Sequence, residues 1–242
     1  MNDSVSPQDS TALVTGANKG IGRHIAQQLA DLGVTVYVGS RDGGRGQRVV
    51  DEIGGKARLL VLDVTDSRST AAAVEEVSAL DILVNNAGIF VNADSVAEVA
   101  LDDVRRTFET NLFGVLAVTN AFLPLLRASA RPRIVNISSG TGSLTLSSGP
   151  DAPHGTAGGV AYRSSKAALN MVTVLYAREL TPAGFKVNAL APGIRATDLN
   201  DRAGELGGDP AEAAAAAVRL ALLPDDGPTG EFHSWDGTLT PW

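Results

Sequence analysis

The chain contains no cysteine and only three histidines in 242 residues. The absence of cysteine excludes disulfide bridges and thiolate catalysis, although it leaves the cellular compartment open. The histidines, His24, His154 and His233, are too scattered along the chain to suggest a metal site. We therefore expect a protein that needs no metal ion.

Basic charge and long apolar segments are also scarce. The chain has 20 lysines and arginines against 27 aspartates and glutamates, a formal net charge of −7, which predicts no nucleic-acid partner. Residues 1–10 are polar, lack the basic and apolar regions of a signal peptide, and are expected to form a flexible tail. No apolar run stands out as long enough to cross a bilayer. We expect a cytoplasmic protein without a membrane partner.

Apolar strands alternate with helical patterns along the rest of the chain. Strands are predicted at residues 11–15, 34–38, 58–62, 81–84, 132–138 and 185–191, with a seventh near 230–234. Helices are predicted at residues 20–32, 45–53, 67–79, 101–127, 160–180 and 209–222. This alternation is typical of βαβ units with a parallel sheet covered on both faces. It predicts an α/β fold, a single doubly wound (Rossmann) domain over residues 11–242.

The segment TALVTGANKGIG has the order strand, glycine turn, helix. Gly16, Gly20 and Gly22 would let the backbone turn sharply and approach a pyrophosphate, which the positive end of the following helix attracts. The position is right for the start of a nucleotide-binding βαβ unit. The alternative is a turn that merely connects a strand to a helix.

The second strand runs into Ser40 and Arg41, where dinucleotide-binding folds recognise the adenosine ribose. The strand tip carries no acid for a 2′-hydroxyl, while Arg41 and Lys19 offer two cations for the 2′-phosphate of NADP(H). Asp42 follows directly and weakens this distinction. The alternative is that Lys19 and Arg41 are solvated loop charges.

Tyr162 and Lys166 stand four residues apart in a helical pattern, so their side chains share one face of the helix. A cation beside a phenol favours the phenolate and would lower its pKa from about 10 toward the range of an acid/base catalyst. For the pair alone, the alternative is an ordinary amphipathic helix.

Taken together, these segments resemble the short-chain dehydrogenase/reductase family over nearly the whole chain, most closely its carbonyl-reductase-like branch. The motifs that carry the resemblance occur in the family's order. They are the glycine motif of residues 15–22, Asp63-Val64, Asn85-Asn86-Ala87-Gly88, Asn111, Ser138-Ser139, Tyr162-x-x-x-Lys166 and Pro192-Gly193.

The resemblance implies a catalytic role for four residues. Tyr162 would be the acid/base. Lys166 would bind the nicotinamide ribose, lower the pKa of Tyr162 and begin a proton relay. Ser139, in preference to Ser138, would polarise the substrate carbonyl, and Asn111 would hold a relay water at an irregularity of its helix.

The resemblance also implies the cofactor contacts within the domain. Asp63 and Val64 would contact the adenine, and the segment Asn86, Ala87 and Gly88 would lie beside the adenosine ribose. Ile194 and Thr197 would contact the nicotinamide carboxamide and the phosphates. The full set of implied cofactor-binding residues comprises Gly16, Asn18, Lys19, Gly20, Ile21, Gly22, Ser40, Arg41, Asp63, Val64, Asn86, Ala87, Gly88, Tyr162, Lys166, Pro192, Gly193, Ile194 and Thr197.

One segment departs from the family pattern. The stretch between Ser139 and Tyr162 is longer than in most members and is rich in glycine, serine and proline, so we expect a loop that forms a wall or lid of the substrate pocket. An idle surface insertion is the alternative. Because carbonyl reductases with the longest insertions here cover the face that other members use to oligomerise, either a monomer or a homo-oligomer (dimer or tetramer) is compatible with the sequence.

The sequence therefore predicts an NADPH-dependent carbonyl reductase, reversible as an alcohol dehydrogenase, that acts on a small-molecule carbonyl or alcohol. The alternative is a non-catalytic NADP(H)-binding regulator that senses redox state. Apolar residues near the predicted site favour a hydrophobic ketone or aldehyde as substrate. These pocket candidates are Phe90, Val91, Leu144, Leu146, Ile194, Leu199 and Leu206.

Overall fold

Seven parallel strands form the centre of the molecule, as the sequence predicts. The computed structural model describes residues 9–91, 95–148, 159–199 and 206–242. The strands are β1 (Thr11–Val14), β2 (Thr35–Ser40), β3 (Ala57–Val61), β4 (Ile82–Asn85), β5 (Arg133–Ile137), β6 (Lys186–Ala191) and β7 (Phe232–Ser234). Their order in the sheet is β3-β2-β1-β4-β5-β6-β7. The chain reverses its winding between β1 and β4, which is where such sheets open a crevice for ligands.

Helices cover both faces of this sheet. In the described residues they are α1 (Gly20–Asp31), α2 (Gly43–Ile53), α3 (Ser67–Glu75), α4 (Leu101–Phe108), α5 (Gly114–Ala128), α6 (Leu144–Ser147), α7 (Val160–Leu180) and α8 (Pro210–Ala221). The predicted helix over 101–127 is interrupted by a π-helical segment, Glu109–Phe113. Short 3₁₀ turns occur at Gly140–Gly142 and Thr181–Ala183.

Alternation along the buried strands divides the core into two layers. In β1, Ala12 and Val14 pack on the side of α1, α2 and α8, whereas Leu13 packs on the side of α3, α5 and α7. The alanine-rich α8 lies against α1, with Ala213, Ala214 and the following turn buried. Small side chains let two helices approach closely, so the alanine run is a packing surface.

One helical stretch of the described chain, Leu101–Ala128, is long and apolar enough by length and composition to span a bilayer. This finding corrects the expectation that no such run exists. The stretch contains α4, the π-helical segment and α5, and its Val118, Phe122 and Leu126 are fully buried in the core. A buried core helix has the same composition. The cytoplasmic location stays a prediction.

The segment after Ser139 was expected to be a loop, and for residues 140–147 that expectation is wrong. The 3₁₀ turn leads into α6. Ser143 caps the N-terminus of this helix, since its hydroxyl accepts the Leu146 N–H at 3.0 Å. Thr145 donates both its N–H and its hydroxyl to the backbone oxygen of Trp242. The Ser143 cap and the hydrogen bonds to Trp242 stabilise a helical turn despite the surrounding glycines. Residues 149–158 of the predicted loop lie outside the described residues.

A buried chain of polar side chains joins the sheet to α5 and α7. Asn85 donates to Thr119 Oγ1 at 3.0 Å and to Asn136 Oδ1 at 2.9 Å. Asn136 donates in turn to Thr173 Oγ1 at 2.9 Å. All four residues are at most 2% exposed. Because buried polar groups are costly unless paired, this chain fixes β4 and β5 against the two helices just below their carboxyl ends.

Replacing Asn136 by alanine should therefore destabilise the fold, because it removes one acceptor of the Asn85 amide and the donor to the Thr173 hydroxyl from a buried site. We expect a loss of about 2–4 kcal/mol in the free energy of unfolding, measured by urea denaturation. Asn120→Ala is the control, since Asn120 accepts only an exposed hydrogen bond from Tyr176. Equal stabilities of the two variants would contradict the structural role of the chain.

Candidate active site

A cleft of about 500 Å³ opens at the carboxyl ends of the central strands. Most of the predicted cofactor-binding residues line it: Gly16, Asn18, Lys19, Gly20, Ile21, Arg41, Asp63, Val64, Asn86, Ala87, Gly88, Tyr162, Lys166, Pro192 and Thr197. Gly22, Ser40, Gly193, Ile194, Ser139 and Asn111 lie outside the lining. The sequence motifs, spread over most of the chain, thus converge on one cavity.

The glycine turn between β1 and α1 is packed tightly against the end of β4. Gly16 has φ of +62°, and a Cβ there would lie 2.9 Å from Ala87 Cα. A Cβ on Gly22 would overlap the Asn86 amide nitrogen and lie 2.7 Å from the Gly16 carbonyl oxygen. Thr15 completes the junction, since its hydroxyl accepts the N–H groups of Asn86 and Ala87, each at 3.0 Å.

This turn is suited to an anionic ligand. Helix α1 follows the turn and begins after Lys19. The Lys19 side chain makes no capping hydrogen bond to the amides of the first helical turn. Free N–H groups at a helix N-terminus attract anions such as a pyrophosphate. The absence of Cβ atoms at Gly16 and Gly22 lets the backbone come close to such a group. The residues present therefore fit a dinucleotide, with its phosphates over the start of α1.

At the end of β2 the predicted cations are found, but Ser40 behaves differently from its prediction. Ser40 is 2% exposed, and its hydroxyl donates to the Asp42 carbonyl oxygen at 2.8 Å. It thus shapes the turn from within. Arg41 and Arg45 line the cleft. Asp42 caps α2, where its carboxylate accepts the Arg45 N–H at 2.9 Å.

Lys19 is held across the mouth of the cleft by an ion pair with Asp198, at 3.0 Å between Nζ and Oδ2. Both side chains are more than half exposed, so the pair contributes little to stability. The hydrogen bond and charge of Lys19 lower the pKa of Asp198. The predicted cation is therefore present, but already has a partner on the opposite loop.

Asp63 borders the same part of the cleft with a carboxylate that stays ionised. Partial burial raises its pKa, but hydrogen bonds from the Thr65 hydroxyl and N–H, at 2.7 and 2.9 Å, together with the charge of Arg41, lower it below its usual value. Val64, its neighbour, packs against Gly114 at the start of α5. Both residues line the cleft, and their contact with the adenine stays a prediction.

Tyr162 and Lys166 stand side by side on α7 at the inner end of the cleft. Lys166 is 4% exposed, and its Nζ donates to the Ile137 carbonyl oxygen at 2.8 Å. Nζ lies 5.6 Å from the centre of the Tyr162 ring. Desolvation lowers the pKa of Lys166 to about 8. Its ammonium group therefore loses its proton far more readily than that of an exposed lysine.

The Tyr162 pKa moves opposite to the sequence-based expectation. Desolvation raises it to about 12, and hydrogen bonding with Ser139 opposes that rise only in part. The expected lowering by Lys166 is not seen, because the ammonium group is itself desolvated and donates to Ile137. With such a pKa, Tyr162 is a neutral phenol near pH 7 and can act as a proton donor.

The two neighbouring serines after β5 have different surroundings. Ser138 is 1% exposed, and its hydroxyl donates to Asn170 Oδ1 at 2.5 Å. Ser139 is partly exposed, has its Oγ 2.9 Å from Thr141 Oγ1, and lies near enough to Tyr162 for its side chain to oppose the rise of the phenol's pKa. Ser138 borders the cleft, but its hydroxyl is engaged by Asn170, whereas Ser139 is the serine that influences the phenol. The preference for Ser139 stays a prediction.

Asn111 lies within the π-helical segment and is completely buried. Its amide holds the irregular segment that follows β4: Oδ1 accepts the Ile89 N–H at 2.9 Å, and Nδ2 donates to the Ile89 carbonyl oxygen at 3.0 Å. The wider turn aims this side chain at the backbone beside Gly88, where Lys166 Nζ also lies. π-bulges of this kind are frequent at functional sites.

The loop after β6 is fixed by Arg195, a residue that the sequence analysis did not single out. Arg195 is 5% exposed, stacks over the Trp235 ring at 4.0 Å and pairs with Glu212. Beyond it, Thr197 packs against Gly20 of the glycine turn. The Arg195 contacts thus hold Thr197 at the cleft.

The apolar pocket candidates divide into two groups. Phe90 and Leu199 line the cleft, and the Phe90 ring lies 5.2 Å from the Tyr162 ring. Leu144, Ile194 and Leu206 are more than half exposed, and they do not line it. Val91 and Leu146 are partly buried and also lie outside the lining.

Comparison with known proteins agrees with this geometry. Residues 10–206 match the family model described as short chain dehydrogenase. The chain is therefore a short-chain dehydrogenase/reductase. It is 35% identical to (-)-isopiperitenone reductase of Mentha piperita over 94% of this chain and 97% of that protein.

Two solved structures show the same fold. One is the NADPH-bound carbonyl reductase from chicken fatty liver, with a TM-score of 0.81, 30% identity, and coverage of 96% of this chain and 98% of that one. The other is a 3-oxoacyl-[acyl-carrier protein] reductase with bound NAD from Brucella melitensis, with a TM-score of 0.81, 30% identity, and coverage of 96% and 92%. The fold alone thus accommodates either cofactor.

Sequence reasoning missed several cleft residues of this dehydrogenase, because they lie outside the family motifs. They are Arg45, Thr65, Ile89, Thr110, Ile137 and Asp198. The sequence analysis could have identified Arg45, since it follows the predicted cation Arg41 by four residues.

In the described residues, no three His, Asp or Glu side chains are grouped to hold a metal. The expectation of metal independence stays a prediction.

The packing of the glycine turn predicts the effect of Gly22→Ala. The added methyl group would overlap the Asn86 side chain and press on the Gly16 carbonyl, so the turn must shift away from the end of β4. We expect affinity for the nicotinamide cofactor to fall at least about 10-fold, which is the effect of losing about one hydrogen bond to a phosphate group. Cofactor fluorescence titration measures it. Unchanged affinity would contradict the fit of this turn to a dinucleotide.

Proposed function

We propose that this protein is an NADPH-dependent carbonyl reductase, reversible as an alcohol dehydrogenase, acting on a hydrophobic ketone or aldehyde. One observation carries the proposal: the Tyr162 phenol, whose raised pKa keeps it neutral near pH 7, and the Lys166 ammonium group lie in the same cleft as the glycine turn. Carbonyl reduction needs a proton donor of this kind beside the bound cofactor.

The chain's own residues would supply the proton and the electrostatics. Bound nicotinamide would supply the hydride to the carbonyl carbon. Tyr162 and Ser139 would donate hydrogen bonds to the carbonyl oxygen, where negative charge develops. Tyr162 would then release its proton to that oxygen. A phenol that is protonated at neutral pH favours the reductive direction.

Lys166 would bind the nicotinamide ribose and return a proton to Tyr162. With its pKa lowered to about 8, its ammonium group can give up a proton near neutral pH. Asn111 lies beside the same glycine as Lys166: a Cβ at Gly88 would be 3.7 Å from Lys166 Nζ and 3.4 Å from Asn111 Oδ1. A water between these two polar groups would continue the relay.

The charge distribution at the end of β2 supports NADPH. Arg41, Arg45 and Lys19 line that end of the cleft. The nearby carboxylate of Asp42 is committed to capping α2 and to an ion pair with Arg45 at 3.3 Å, so it is not free for a ribose hydroxyl. Guanidinium groups suit the 2′-phosphate that distinguishes NADPH. The carbonyl reductase neighbour binds NADPH.

The substrate class follows from the side chains beside Tyr162. Phe90 lies against the phenol ring, and Leu199 lines the cleft. Apolar walls with few polar groups bind a hydrophobic molecule mainly by burial. The Mentha piperita relative is named as a reductase of isopiperitenone, which supports a ketone. A cytoplasmic location remains a prediction, and the sequence is compatible with either a monomer or a homo-oligomer.

The alternative, a non-catalytic redox sensor, would use the glycine turn but not a proton donor. The proximity of Ser139 to Tyr162 and the buried Lys166 beside the phenol favour the enzyme. Burying an ammonium group beside a phenol carries a desolvation cost. Such a cost is readily explained when the group has a catalytic role.

Replacing Tyr162 by phenylalanine should remove the proton donor while preserving the packing against Phe90. We expect turnover of a ketone to fall at least about 100-fold, with NADPH affinity nearly unchanged. Tyr176→Phe is a matched control, since Tyr176 is on the same helix but donates to Asn120 outside the cleft. Turnover close to wild type for Tyr162→Phe would exclude Tyr162 as the acid.

Arg41→Asp tests the cofactor. The change replaces a phosphate-binding cation with a group that repels phosphate and accepts from a 2′-hydroxyl, so kcat/KM with NADPH should fall by at least about 10-fold more than with NADH. Arg58→Asp is the charge-matched control, because Arg58 is exposed on β3 outside the cleft lining. Preference of the wild type for NADH would contradict the proposed cofactor.

A further inference from the structure

The side-chain hydroxyls of Thr141 and Ser139 form a hydrogen bond with each other. Their oxygens are 2.9 Å apart, and the Thr141 N–H also donates to Ser139 Oγ at 3.2 Å. Both contacts come from one residue, at the second position of the 3₁₀ turn that Ser139 caps. Thr141 therefore contacts the candidate carbonyl-binding serine through two groups.

The turn that carries Thr141 is held firmly against α7. A Cβ on Gly142 would lie 2.8 Å from the backbone carbon of Lys166, so only glycine allows this approach. Asn170 donates to the Gly142 carbonyl oxygen at 3.2 Å, and the Gly142 N–H donates to the Ser139 carbonyl oxygen at 2.9 Å. Thr141 is thus positioned by the same helix that carries Tyr162 and Lys166.

A count of donors and acceptors indicates what Thr141 does. A serine hydroxyl has one proton to donate and two lone pairs that accept. The Thr141 N–H occupies one lone pair of Ser139. If the Thr141 hydroxyl donates to the second, Ser139 can act only as a donor, and its proton is left for an acceptor other than Thr141. Within the described part of the chain, the Thr141 hydroxyl has no hydrogen-bond partner other than Ser139, so this direction also satisfies its own proton.

We infer that Thr141 is a positioning residue that fills the acceptor sites of Ser139 and so fixes the Ser139 hydroxyl as a hydrogen-bond donor to the substrate carbonyl. The inference rests on the proposed reductase function. A hydroxyl that itself accepts a hydrogen bond becomes a stronger donor. Thr141 would therefore both orient the Ser139 proton and increase its polarity, without touching the substrate.

Thr141→Val tests this inference, because valine keeps the branched shape and removes the hydroxyl. With a ketone that the wild type reduces, we expect kcat/KM to fall about 3- to 10-fold, the scale of one hydrogen bond, at unchanged NADPH affinity. Thr141→Ser restores a hydroxyl and should recover most of the loss. Thr145→Val is the control: it removes a threonine hydroxyl from the adjoining α6, where Thr145 donates only to Trp242.

A double-mutant cycle with Ser139→Ala separates positioning from a general structural effect. If Thr141 acts through Ser139, Thr141→Val should cause no further loss of kcat/KM in the Ser139→Ala background. Additive losses would overturn the inference, as would a Thr141→Ser variant as impaired as Thr141→Val, or wild-type kinetics of Thr141→Val.

A readout that needs no turnover distinguishes this inference from the proposed function. In crystal structures, Ser139 should occupy one rotamer in the wild type and in Thr141→Ser, but a different rotamer or several in Thr141→Val. A single, unchanged rotamer in Thr141→Val would overturn the positioning role. If the wild type reduces no carbonyl compound, the proposed function fails, while this comparison still decides whether Thr141 orients Ser139.

Discussion

Burial of the Lys166 ammonium group is the constraint on which the site depends. A cation removed from water is costly unless polar groups replace its hydration, and here the Ile137 carbonyl at the end of β5 receives it. That contact requires α7 to lie close over the strand end. The close approach in turn requires glycine at position 142, where any Cβ would meet the Lys166 backbone. Strand, turn and helix are thus positioned together.

Much of this arrangement could be predicted because it follows from local pattern. Alternating strands and helices gave the parallel sheet, and glycines marked the turn near Ala87. The direction of the Tyr162 pKa could not be predicted, because it depends on desolvation by residues distant in sequence. Spacing placed Lys166 beside the phenol, but it could not reveal that Lys166 donates to Ile137 and is itself desolvated.

Other features escaped prediction because they arise from contacts between distant segments. The pairing of Lys19 with Asp198 joins residues 179 positions apart. A 2′-phosphate would compete with Asp198 for Lys19. Part of the free energy gained from a contact between Lys19 and the phosphate would therefore replace the free energy of the exposed ion pair. Ser40 was predicted to bind the cofactor because it lies at the end of a strand. Its hydroxyl instead donates to the Asp42 carbonyl oxygen within the turn.

The choice between the two serines after β5 follows from the register of that strand against α7. Successive side chains of an extended chain point to opposite sides, so Asn136 and Ser138 share one side. Both reach α7, Asn136 at Thr173 and Ser138 at Asn170. Two such contacts from one strand to neighbouring turns of one helix oppose a slip of even one residue. The buried contacts of Asn136 and Ser138 therefore determine which of the two serines is buried against Asn170 and which is partly exposed.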